Sequence, residues 1–184
     1  MTGFALFETP LGACAIAWSA LGIVGVQLPE VNLSQSRSRI QRRFAAAQEA
    51  APPPQVQRAI DGIVALLAGT AADLSVVTLD MGEVPDFDRR VYAVARTIGP
   101  GSTLTYGQVA ARLGDPRLAR EVGQALGRNP FALVVPCHRV LAADGRLGGF
   151  SASGGPATKQ RLLTIEGARS GDGPDLFDPP AHSA

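Results

Sequence analysis

Phe131-Ala132-Leu133-Val134-Val135-Pro136-Cys137-His138-Arg139-Val140-Leu141 is an apolar run broken in its middle by a proline, a thiol, an imidazole and a guanidinium. Its Val-rich composition reads as a buried strand. Polar and ionisable groups in such a strand cost roughly 1–3 kcal/mol each unless they are paired. Two arrangements would account for them: an inert buried cysteine beside a satisfied histidine, or a nucleophile with its base. On an extended strand Cys137 and His138 point to opposite faces, so they do not bond directly unless Pro136 bends the chain. A bridging water would let a neutral imidazole take the thiol proton, while a carboxylate on the other ring nitrogen fixed the tautomer. Glu166 is the candidate. Pro156 starts a helix in which Leu162, Leu163 and Ile165 face inward, and Glu166 ends it before Gly167. An acid at that end opposes the helix dipole by ~0.3–1 kcal/mol, so the position calls for a partner such as His138.

Working upstream, Thr105 followed by Gln108 makes a capping box that opens a short helix from Tyr106 to Leu113, stopped by Gly114. Asp115 is an N-cap and Pro116 a first helical residue for a second helix, whose Val122, Ala125 and Leu126 run to Gly127. Two short helices across a tight turn form a helix-turn-helix pattern. Before them, Phe87, Val91, Val94, Ala95 and Ile98 mark an amphipathic helix that ends at Gly99-Pro100-Gly101.

The first half carries no recognisable chemistry. Residues 3–8, 13–18 and 22–28 read as a small antiparallel meander, Ser38 to Ala51 and Gln55 to Ala68 as helices, and Leu74 to Leu79 as a strand. Residues 1–80 are therefore expected as an α/β domain, 81–169 as a second domain reached through Met81 to Pro85, and 170–184 as a disordered tail. Cys14, in an apolar strand, is expected to be a small buried hydrophobe.

The 184 residues carry a formal charge of +1, which excludes a generally polybasic or polyacidic protein. The distribution is uneven. Residues 1–80 hold five Arg against six acids, residues 81–169 twelve Lys and Arg against seven acids, and the tail three Asp, giving −1, +5 and −3. Two cysteines make no disulfide framework, and neither an export signal nor an uninterrupted apolar run of ~18 residues is present, so a cytoplasmic protein without membrane contact is expected. Cys14, Cys137, His138 and His182 lack paired-ligand spacing, so no metal and no cofactor are expected.

Pro136-Cys137-His138-Arg139-Val140, preceded by Gly127-Arg128-Asn129-Pro130 and followed by Gly148-Gly149-Phe150-Ser151 and Glu166-Gly167, resembles the methylated-DNA protein-cysteine methyltransferases, the suicidal repair proteins for 6-O-alkylguanine. The similarity continues upstream through Thr105-Tyr106-Gly107-Gln108-Val109-Ala110 and Val122-Gly123. The resemblance implies a ribonuclease H-like N-terminal α/β domain and a mostly helical, winged helix-turn-helix-like C-terminal domain. It implies Cys137 as the alkyl acceptor, His138 as the water-linked base, Glu166 as the carboxylate behind it and Asn129 as the brace of the active-site turn. Tyr106 would help turn the damaged nucleotide and contact the base, and Arg120 would fill its vacated place in the stack. Ser151 would contact the guanine oxygen and Phe150 would wall the pocket. The second helix, with small Gly123 on it and Arg128 at its end, would enter the minor groove of double-stranded DNA bearing alkylated bases. The implied reaction moves the alkyl group irreversibly to the protein's own cysteine, one turnover per molecule, from 6-O-alkylguanine and by extension 4-O-methylthymine. A monomer is expected, since no heptad seam is present. Two other readings stand beside it: a non-catalytic module that binds alkylated-DNA lesions, disfavoured because Cys137 is present, and a cysteine hydrolase, for which no separate oxyanion motif is found.

Overall fold

The structure, a computed structural model, describes residues 2–70 and 72–168; the expected disordered tail lies outside the described residues. Strands β1 (Gly3–Phe7), β2 (Cys14–Trp18) and β3 (Ile23–Gln27) form the meander, each pair antiparallel. Alternation sorts β2 between two faces: Cys14, Ile16 and Trp18 join the main core, while Ala15 and Ala17 pack with Phe4 and Ile40 on the other side. The first helix, α1 (Leu33–Arg43), begins and ends earlier than the Ala- and Arg-rich run predicts. Asn32 caps it by accepting from Gln35 N at 2.9 Å. It stops at Phe44, which packs on the sheet instead of continuing into the helix-favouring alanines, and Gln48–Glu49 becomes β4, parallel to β1 at the sheet edge. Tertiary packing and edge pairing override helix propensity here. The sheet order is β3-β2-β1-β4.

Helix α2 (Pro54–Leu67) buries Val56, Ala59, Ile60, Ile63, Leu66 and Leu67 on one stripe. Leu74 to Leu79 is not a strand. Only Leu79 bridges to Ile23, because the Leu74 and Val77 carbonyls accept from the Arg96 guanidinium, at 3.5 and 2.7 Å, and Val77 N turns back to Leu74 O.

The second half contains α3 (Asp86–Arg96), β5 (Leu104–Thr105), α4 (Tyr106–Arg112), α5 (Ala119–Gly127), β6 (Val140–Leu141) and α6 (Gly155–Ile165). The capping box forms with both of its bonds, Gln108 N to Thr105 Oγ1 at 3.1 Å and Thr105 N to Gln108 Oε1 at 2.7 Å. Asp115 caps as expected, but Pro116–Leu118 is a separate 3-10 turn ahead of α5. The apolar run at 131–141 is not a continuous strand either. Phe131 bridges to Val26, Leu133 adopts a left-handed φ of 70°, Cys137–Arg139 forms a 3-10 turn, and only Val140–Leu141 is extended, parallel to β5. One contiguous core joins Ile16, Val26, Ile63, Val91, Phe131 and Leu162, and so includes residues from both halves.

Gly25 is required by the early end of α1. A Cβ there would lie 2.4 Å from Phe44 Cζ, so the ring lies directly on the glycine backbone. Gly25→Ala should lower unfolding stability by about 1–3 kcal/mol through forced repacking, measured by urea denaturation.

Candidate active site

The pairing of β5 with β6 sets Leu104 beside Val140 and Thr105 beside Leu141. It therefore brings the start of α4, where Tyr106 is the first residue, alongside the turn that holds Cys137. The segment leading into that turn is irregular, so its backbone needs outside partners. Asn129 supplies them: Nδ2 donates to Val135 O and Oδ1 accepts from Phe131 N, both at 2.9 Å. The left-handed Leu133 in this segment is the kind of backbone strain, ~1–3 kcal/mol, that persists only where surroundings over-determine it.

Because residues 137–139 form a tight turn instead of a strand, the three polar side chains of the run are not alternated between faces. His138 and Arg139 are buried and both reach Glu166 at the C-cap of α6. His138 Nε2 lies 2.9 Å from Glu166 Oε1, while Arg139 donates from Nη2 to Oε1 at 2.7 Å and from Nε to Oε2 at 2.8 Å. Arg139 also donates to Ile98 O, at the end of α3. Burial alone would raise the Glu166 carboxyl, but the hydrogen bonds and charges of His138 and Arg139 outweigh it and hold it at about 2. For His138 burial dominates over Glu166 and lowers the imidazole below its ordinary value. The pair at neutral pH is thus a carboxylate and a neutral imidazole, with Nε2–H donating to Glu166. Nδ1 is left as the acceptor, buried and with no hydrogen-bond partner among the described residues.

Cys137 is a free, half-buried cysteine. Burial pushes its thiol up, against the lowering effects of the Asn129 amide and the Lys159 charge. A raised thiol stays protonated at neutral pH, so a base is needed to make it nucleophilic. It lines a cavity of about 540 Å³ together with Tyr106, Arg120, Gly123, Phe150 and Ser151, a size in the range of small-molecule sites. Six of the sequence-predicted residues thus meet at one opening; Asn129 reaches the thiol, and His138, next in sequence, is joined to Glu166. Arg120 makes no ion pair among the described residues. Arg128 is not brought to this cavity. Its guanidinium turns to the buried Asp88 of α3, with Nε at 3.0 Å and Nη2 at 2.9 Å from the two carboxylate oxygens. Among the described residues no group of three or more His, Cys, Asp or Glu could hold a metal ion, and no helix is long and apolar enough to cross a membrane.

Residues 86–168 match the family model described as 6-O-methylguanine DNA methyltransferase, DNA binding domain. A curated methylated-DNA–protein-cysteine methyltransferase from Mycobacterium bovis is 33% identical over 178 residues, covering 97% of this chain and 100% of the relative. The chain belongs to the methylated-DNA–protein-cysteine methyltransferase family. A family member from Methanothermobacter thermautotrophicus is 43% identical over 121 residues, which is 66% of each chain. The crystal structure of the Mycobacterium tuberculosis O6-methylguanine methyltransferase is 33% identical and superimposes with a TM-score of 0.71 over 97% of this chain and 100% of that one. The mixed small sheet with helices described above is therefore the fold of this methyltransferase family.

In this member of the family, sequence reasoning missed two site residues. Arg139 interrupts the apolar run and belongs to the motif but carries no role in the sequence reading, yet it holds Glu166. Lys159 is the sole lysine of the chain and is fully buried in α6. Its Nζ donates to Val140 O at 2.6 Å and lies 5.8 Å from the centre of the Tyr106 ring. Burial pulls its ammonium down to about 8, while its charge in turn favours the Cys137 thiolate. Its place in the inward stripe with Leu162 and Leu163 was the available signal.

Two outcomes follow from these electrostatics. Lys159→Met should shift the Cys137 thiol titration further upward, read from thiolate ultraviolet absorbance. Glu166 is depressed on folding, so its contribution to stability is complete above its ordinary value of 4.5 and is lost as pH falls towards about 2. Urea unfolding across that acid range should show a steeper loss for the wild type than for Glu166→Gln.

Proposed function

We propose that this chain repairs DNA by direct reversal, taking the alkyl group from 6-O-alkylguanine, and by extension from 4-O-methylthymine, onto Cys137 once per molecule. The observation that carries this reading is the Cys137 thiol at the wall of an open cavity, backed by a buried neutral imidazole whose Nδ1 is uncommitted. The similarity to the crystal structure of Mycobacterium tuberculosis OGT in complex with DNA supports a DNA partner; it is 31% identical, with a TM-score of 0.71 over 90% of this chain and 92% of that one.

The step runs as follows. His138 Nδ1 takes the thiol proton, through a water, and Glu166 stabilises the resulting imidazolium. The sulfur lone pair forms a bond to the alkyl carbon as the carbon–oxygen bond to guanine breaks, its electron pair staying on the guanine oxygen. That oxygen is met by a donor, a role we assign to Tyr106 and Ser151 of the cavity wall, and the imidazolium returns the former thiol proton to guanine. The thioether product offers no carbonyl to water, so the protein is spent.

An alkyl group on a base oxygen is hidden inside the duplex, so the nucleotide must leave the stack, at a cost of a few kcal/mol. We place α5 in the minor groove, with Gly123 allowing close approach and Arg120 filling the gap left by the extruded nucleotide. Phe150 would wall the base pocket and Asn129 would keep the turn that presents the sulfur. In this scheme residues 1–80 form a ribonuclease H-like scaffold and 81–169 a winged helix-turn-helix-like unit that binds DNA and carries the chemistry, as a cytosolic monomer. Affinity resting on phosphate contacts should fall as salt rises.

Incubation with duplex DNA bearing 6-O-methylguanine should add one methyl mass to the protein and restore guanine, and Cys137→Ser should abolish both. Stable binding without mass gain would favour a non-catalytic lesion-binding module instead. Repeated turnover on an ester would favour a hydrolase.

A further inference from the structure

A second, smaller cavity of about 40 Å³ shares Cys137, Phe150 and Ser151 with the main one and continues to Gln27, Arg39 and Arg43 in the first half of the chain. It exceeds by roughly threefold the space that admits a single water, so it can take a group of one to a few heavy atoms. Gln27, the last residue of β3, is buried; its Nε2 donates to Ser36 O at 3.1 Å, but its Oε1 has no donor. A buried carbonyl oxygen without a donor is destabilising and asks for an explanation. Arg39 is committed to Glu30. Arg43, at the end of α1, makes neither a hydrogen bond nor an ion pair among the described residues and stacks over Phe44 at 5.7 Å. The residues that line the cavity next to the nucleophile thus include one with an unmet acceptor and one with an uncommitted donor.

We infer that this cavity is a subsite for the far end of the transferred group, and that it favours an alkyl group ending in a hydroxyl, such as 2-hydroxyethyl. A hydroxyl meets both needs, donating to Gln27 Oε1 and accepting from the Arg43 guanidinium. A methyl or propyl end meets neither, and a carboxylate repels the Gln27 oxygen. The inference rests on the alkyl-transfer reading above and adds a substrate preference to it. The chemistry is unchanged: sulfur bonds to the first carbon of the hydroxyethyl group, the bond to guanine oxygen breaks with its electron pair on that oxygen, and the thiol proton ends on guanine. The products are S-hydroxyethylcysteine and guanine.

The test uses the full chain and duplexes carrying 6-O-methyl-, 6-O-(2-hydroxyethyl)- or 6-O-propylguanine, the last matching the second in length. Single-turnover rates give a hydroxyethyl-to-propyl ratio for the wild type, Gln27→Met and Arg43→Gln. Intrinsic reactivity is common to all three proteins, and a poorly folded variant loses both rates together, so the ratio isolates the subsite. The wild-type ratio should exceed that of each variant by about tenfold, the equivalent of one well-made buried hydrogen bond. Methyl transfer with the same ratio in all three proteins overturns the subsite and leaves the alkyl-transfer reading standing. No transfer from any duplex overturns both.

Discussion

A single buried carboxylate organises the chemical half of this molecule. Glu166 closes α6, and through His138 and Arg139 it fixes the 3-10 turn that carries Cys137; through Arg139 and Ile98 it also reaches the end of α3. An acid sealed from water is tolerated only because three donor nitrogens of His138 and Arg139 surround it, and removal of Arg139 would leave its charge without compensation. Arg139 is therefore as much a part of the site as the histidine: it neutralises Glu166, so that the imidazole need not carry a proton to do so. The imidazole stays neutral chiefly because it is buried, and the Arg139 charge adds to that effect.

The thiol is set by the opposite logic. Burial favours its protonated form, and the groups that oppose burial are the Asn129 amide, which braces the turn, and the Lys159 ammonium, which lies over the Tyr106 ring of the cavity wall. Tyr106 lies under Lys159 and against Gly148, where a side chain would press on its hydroxyl at 3.2 Å. The cavity wall, the charge that favours the thiolate and the ring thus constrain one another.

The sequence was most legible where local chemistry decides structure. The capping box at Thr105 and the cap at Asp115 depend on side chains bonding to nearby backbone, the stop at Glu166-Gly167 on a glycine in the left-handed region, and all three form. The run at 131–141 was misread as a strand because its composition is that of one; what bends it is Asn129, whose amide satisfies the backbone from outside the run. The missing strand at 74–79 has the same origin, a distant guanidinium taking its carbonyls. The early end of α1 likewise depends on Phe44 finding Gly25 across the sheet. Arg128, basic and at a helix end, pairs with Asp88 of α3, which nothing near it in sequence announces. Partners that the local pattern of a segment does not announce account for these differences.

The two cysteine thiols of the chain differ in one respect that matters beyond the active site. Cys14 is fully buried within β2, where burial holds its thiol at about 12, despite the Thr9 hydroxyl. In the folded protein it is silent to reagents that react with thiolates, so each molecule presents one addressable sulfur. A native-state thiol count on any sample therefore reads the unspent fraction directly, and the same count after denaturation supplies the total from an internal reference carried in the same chain.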